Sequence, residues 1–182
     1  MFKSAYFRRL FLPYLLLICG AMLVVGLLAA RRLKATYLDR TAQGIRDNST
    51  LVAGIINPLP RTIGNDPLTD QIKSLGRDLH CRITIMSVDG TVIADSGADA
   101  RRMENHRFRP EVIAALAQGD GVAVRRSDTL HEDMLYFAKR VSVSDSPYLL
   151  RLSVHLRDLD HQLTALHRNL LLTGLFTTAI AG

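Results

Sequence analysis

The chain has 182 residues, 48% of them hydrophobic, with a formal charge of +6 and two cysteines. Its 17 acidic residues all fall between Asp39 and Asp160, and removing Lys3, Arg8 and Arg9 from the 23 basic residues leaves 20 between Arg31 and Arg168, about +3 for that wider middle region. The excess charge therefore flanks an apolar run and does not form a basic face interleaved with aromatics, which excludes a nucleic-acid binder. Cys19 lies in an apolar run and Cys81 opens a strand candidate, so there is neither a disulfide framework nor a CxxC metal pair.

Residues 1–9 read as a cytoplasmic N-terminus and residues 10–30 as a transmembrane helix, because about 21 uncharged residues at 1.5 Å each cross roughly 30 Å of hydrocarbon. A cleaved signal peptide is the weaker reading. The core is long, and Leu28 occupies a place in Leu28-Ala29-Ala30 where cleavage wants a small residue. Orientation rests on Lys3, Arg8 and Arg9, opposed by Arg31, Arg32 and Lys34 on the other side.

Leu38, Ala42, Ile45, Ser49, Val52 and Ile56 follow at alternating spacings of four and three, a heptad seam that Asn57-Pro58 ends. A second seam, Leu156, Leu159, Leu163, Leu166 and Leu170, runs into the apolar stretch 169–182, which reads as the start of a second transmembrane helix. Such seams either pack on their own domain or pair in a dimer. Collinearity with apolar segments favours parallel homodimer helices that carry motion across a membrane.

Residues 31–168 then form an extracytoplasmic domain. Asp66 caps a helix starting at Pro67, with Leu68, Ile72, Leu75 and Leu79 as its apolar stripe. Residues 82–88 alternate as a strand, Asp89-Gly90 makes a hairpin turn, and 91–95 return. A short helix from Pro110 ends near Gly119, and strand candidates follow at 121–126, 134–143 and 148–155. The expected fold is α+β: a five-stranded antiparallel sheet with a long N-terminal helix, intervening helices on one face, and flanking transmembrane helices.

Several short stretches taken in order resemble the extracytoplasmic PAS-like (single Cache) domains of bacterial sensor histidine kinases, especially the phosphate-regulon (PhoR/ResE-like) type. They are Arg82-Ile83-Thr84-Ile85 with Asp89-Gly90 and Asp95-Ser96, then Met103-Glu104-Asn105-His106 with Arg109-Pro110, and finally Gly121, Arg125-Arg126 and Met134-Leu135-Tyr136. The resemblance covers roughly residues 34–168. It implies a signal-sensing input region in the inner membrane, acting through a homodimer on a cytoplasmic kinase and response regulator. ATP and Mg belong to that kinase, so no cofactor is expected in this chain. It also implies a ligand pocket over the sheet, with Arg125, Tyr136 and Asp95 on strands and His106 and Arg109 closing from a loop. Arg125 would meet an anion through bidentate hydrogen bonds. Alternatively the arginines pair with Glu104, Glu111 or Asp128 and hold the loop. Met103, Phe108 and Met134 are expected in the core.

Catalytic signatures are absent: no P-loop, HExxH or Gly-x-Ser-x-Gly. His161 and His167 read as solvated helix residues, and His131-Glu132-Asp133 as a surface turn. Other outputs remain open, namely a diguanylate cyclase, a chemotaxis receptor, or a membrane-tethered binding or assembly protein responding to an unknown small molecule or protein.

Overall fold

The computed structural model describes residues 5–56, 66–127, 132–143 and 146–156, together with Arg168. Leu159, Leu163, Leu166, Leu170, His131, His161, His167 and the stretch 169–182 lie outside those residues.

Helix α1 covers Ala5–Ile56, with Pro13 inside it. Two compact units divide within it, at Tyr37/Leu38. Up to Tyr37 the described chain is all helix, and it is long and apolar enough to cross a membrane. Large apolar side chains from Tyr14 through Leu28 are exposed around this stretch, so it is not the core helix of a globular fold.

The second unit, Leu38–Leu156, is the α+β domain. Helix α2 (Asp66–Asp78) precedes strands β1 (Arg82–Ser87) and β2 (Val92–Asp95). A 3₁₀ turn at Ala100–Arg102 and helix α3 (Pro110–Gln118) lead to β3 (Asp120–Arg126), β4 (Asp133–Val143) and β5 (Ser146–His155). The five strands form one sheet of order β2-β1-β5-β4-β3, antiparallel throughout. Apart from the 3₁₀ turn, these are the elements the sequence pattern predicts, displaced by a residue or two. β5 joins the centre of the sheet because Tyr148, Leu149, Leu150 and Leu152 bury on both of its faces.

The long helix α1 and helix α3 lie on opposite faces of the sheet. Phe137 on one face lies under the Arg46 guanidinium of α1, 5.5 Å from ring centroid to Cζ. Ala138, which points the other way, joins Met86 and Leu149 in a cluster with Val112 and Ala115 of α3. The expectation that the first heptad seam pairs in a dimer needs correction over its second half: Ile45, Ser49, Val52 and Ile56 are all buried in the single chain, whereas Leu38 and Ala42 are half-buried. Ser49, its polar member, donates to Arg46 O at 2.6 Å and so needs no partner across an interface. Lys139 Nζ to Thr50 (3.3 Å) and Arg46 to Asp120 (3.1 Å) fasten the same helix to β4 and β3.

Candidate functional site

The face carrying α3 also carries most of the polar chemistry. Strand register sets two rows across it. Gly121, Ala138, Arg151, Thr84 and Asp95 are successive partners across all five strands, and Ala123, Tyr136, Ser153 and Arg82 form the next row. A strand pair brings facing side chains within about 5 Å, so the register alone draws Arg151, Thr84 and Asp95 together.

Asp95 ends this row and is fully buried. It accepts from Arg82 Nε (2.9 Å), Thr84 Oγ1 (2.7 Å) and the backbone N–H groups of Gly97 (2.8 Å) and Ala98 (2.9 Å). With its lone pairs committed, Asp95 fixes Arg82 and the turn after β2. Arg151 follows in the row, with Nη2 donating to Thr84 Oγ1 at 3.4 Å and Nη1 donating to Glu111 Oε1 at the same distance. Burial lowers the pKa of Arg151, opposed by the charge of Glu111.

Glu111 enters from the first turn of α3, where Pro110 supplies a pre-set φ. Gly121 lets this turn press onto β3: a Cβ there would lie 2.4 Å from Glu111 O and 2.5 Å from the Ala114 Cβ. The Glu111 carboxylate is fully buried, and its Oε1 serves both Arg151 and Arg125, whose Nη2 lies 3.7 Å away. Oε2 has no hydrogen-bond partner, and neither does Nε of either arginine. Tyr136 lies against both guanidinium groups, 4.0 Å from Arg125 and 5.2 Å from Arg151 by ring centroid. Two cations thus share one carboxylate.

His106 reaches the site on the loop before α3, and the β1–β2 hairpin holds that loop. Gly90 in the turn has φ +89°, which glycine adopts freely. His106 N donates to Gly90 O at 2.9 Å and Asn105 Nδ2 to Asp89 O at 3.0 Å. The imidazole is buried with Nδ1 unpartnered. Burial, the cations of Arg151 and Arg109, and then that of Arg125 push its pKa down to about 4, with Asp95 opposing.

These groups surround a cavity of about 680 Å³ whose lining includes Arg82, Arg102, His106, Arg109, Arg125, Tyr136 and Arg151. That volume suits a small molecule. Of the residues expected at a pocket, Arg125, Tyr136, His106 and Arg109 share this lining, whereas Asp95 lies behind it, bound to Arg82. The loop-fastening pair expected between Arg125 and Glu111 is present beside the cavity. Arg151 was not anticipated in this role. Arg151 had a signal, a lone charge in the apolar run Leu149-Leu150-Arg151-Leu152. Met134 is buried as expected, but Phe108 is 83% exposed. Its segment turns sharply, Arg109 N bonding His106 O at 3.1 Å, and this carries Phe108 outward.

The remaining reactive groups are quiet. Burial raises the Cys81 thiol to about 11. Glu132 Oε2 lies 3.0 Å from His155 Nδ1, and no cluster of three or more metal-ligating side chains occurs among the described residues.

No family model matches the chain, and no curated protein sequence matches it. Among solved structures it is similar to the sensor domain of DcuS from E. coli, with TM-score 0.51 and 12% identity, covering 69% of this chain and 98% of that one. It is similar also to the ligand-binding domain of the Campylobacter jejuni chemoreceptor Tlp3 in complex with L-valine, with TM-score 0.51, 12% identity, and 88% and 68% of the two chains covered. The sensor domain of the V. cholerae histidine kinase DctB aligns at TM-score 0.46 and 14% identity, covering 70% and 59%. The α+β fold expected from the sequence is therefore the observed one, a Cache/PAS-like fold shared with these sensor domains.

Proposed function

We propose that this chain is the input region of a membrane-anchored signalling receptor whose extracytoplasmic domain binds a small anion in the arginine-lined cavity. One observation carries the reading: Arg125 and Arg151 share the single carboxylate of Glu111 at the wall of that cavity, leaving a cationic excess and unpartnered N–H groups. A carboxylate or similar oxyanion supplies both the charge and the acceptors. The likeness to a chemoreceptor domain holding L-valine supports a small-molecule signal. The exposed apolar part of α1 supports an anchor in the inner membrane.

The resemblance at Arg82–Ile85, Asp89-Gly90 and Met134–Tyr136 favours a two-component histidine kinase as the output, working as a homodimer through Leu156, Leu159, Leu163, Leu166 and Leu170. The fold shared with Tlp3 favours chemoreceptor output equally, and the coding sequence beyond Gly182 separates the two. The binding half is tested by a thermal-shift screen of small anions against the full chain in detergent micelles. At least one carboxylate is expected to raise Tm in the wild type and not in Arg125→Gln. A screen in which no anion acts differently on the two proteins would overturn the reading.

A further inference from the structure

His106 is a buried base in a cationic site, with an unpartnered nitrogen. The groups facing it come from every element around the cavity. β1 and β2 contribute Arg82 and Asp95, and the segment after β2 contributes Asp99, Arg102 and Glu104. Arg109 leads into α3, which supplies Glu111, while β3, β4 and β5 supply Arg125, Tyr136 and Arg151.

The two buried carboxylates in this set are already engaged. Asp95 accepts from Arg82, Thr84, Gly97 and Ala98, and Glu111 is divided between Arg125 and Arg151. Asp99 pairs with Arg102 at the exposed edge, 3.8 Å apart. The chain therefore offers His106 no buried negative charge that arginine does not already balance, and the arginines keep the ring neutral. An anion entering among them changes both conditions. It neutralises the guanidinium groups that repel an imidazolium, and it sets a negative charge beside the ring, where opposite charges within about 4–6 Å favour the ionised form. A second N–H then forms on the ring, so that Nδ1 and Nε2 both donate.

Resting on the anion-binding reading, we propose that the cavity takes up its anion together with one proton from solvent, and that the imidazole of His106 receives this proton. The receptor then reports an anion and acidity jointly. Uptake strengthens as pH falls, by up to about tenfold per pH unit between the free and the bound titration of the ring.

Trifluoroacetate is a suitable probe, being a small carboxylate that stays ionised through this range and is observed by ¹⁹F NMR. Its Kd for the full chain in detergent micelles is measured from pH 7.5 to 5.5, for the wild type and for His106→Gln. Proton uptake by the wild type is read independently, from the pH change on mixing in weakly buffered solution near pH 6. The expected result is a wild-type Kd that falls with pH, close to one proton absorbed per anion bound, and a flat profile in His106→Gln. Binding of equal strength at every pH without proton uptake overturns the proposal and leaves the anion site standing. A slope retained in His106→Gln also overturns it, by assigning the proton elsewhere. No wild-type binding of trifluoroacetate at any pH overturns this proposal, and the anion-binding reading falls with it where the screen of small anions is blank as well. Should His106→Gln fail to fold, the wild-type proton count decides alone.

Discussion

Arg151 and Glu111 form a buried pair, Nη1 to Oε1 at 3.4 Å, that ties the central strand β5 to the first turn of α3. Breaking such a pair by neutralising one partner leaves an uncompensated charge and costs about 3–5 kcal/mol. Here Glu111 answers two cations, so its loss leaves both unpaired. Glu111→Gln is expected to lower stability by about that amount in chloride buffer, and a cavity anion should restore part of it. Denaturant unfolding of the full chain, with and without a stabilising carboxylate, checks both halves.

Gly90 links the hairpin to the loop that carries His106. A Cβ at this position would lie 2.4 Å from both Arg107 N and Asn105 Oδ1, on a backbone already at φ +89°. Gly90→Ala is expected to cost about 1–3 kcal/mol through strain and displacement. It should also weaken anion binding, because the loop and His106 move with it. Unchanged stability and unchanged affinity would show that the turn does not hold the loop.

The pKa of His106 is depressed in the folded state, to about 4 from 6.5. Between those values the unfolded chain binds the proton and the folded chain does not, so acid favours unfolding. Stability from this source is complete above pH 6.5 and falls as pH drops toward about 4. The full loss is on the order of 3 kcal/mol. Unfolding measured without added anion should show this slope in the wild type and a shallower one in His106→Gln.

Ile45 tests where the first heptad seam packs. Truncating a buried isoleucine to alanine costs about 2–5 kcal/mol. If the seam serves its own domain, Ile45→Ala shows that loss at every protein concentration. A loss that appears only at concentrations where the chain self-associates would return this residue to a dimer interface.

Much of the fold was legible because local chemistry and the final structure agree. Asp89-Gly90 demands a hairpin, Pro110 and Gly119 bound α3, and alternation marks the strand from Arg82. The partner of the first heptad seam was not legible, since Ile45 and Val52 repeat at the same spacing whether they face a sheet or a second helix. The site was legible in part. Arg125, Tyr136, His106 and Arg109 stood out as polar residues within a recognisable order. Arg151 became part of it only through β5 pairing with both β1 and β4, a non-local arrangement that no spacing along the chain encodes. Asp95 shows the converse. Its chemistry suits a ligand contact, but register gives its oxygens to Thr84 and Arg82.

The most direct test of the central claim is isothermal titration of the tightest-binding anion from the screen into the wild type and Arg125→Gln. One charge-assisted hydrogen bond contributes about 1.5–3 kcal/mol, so the variant should bind roughly 10- to 100-fold more weakly while remaining folded. Equal affinity in a folded Arg125→Gln protein would contradict the assignment of the cavity as the anion site.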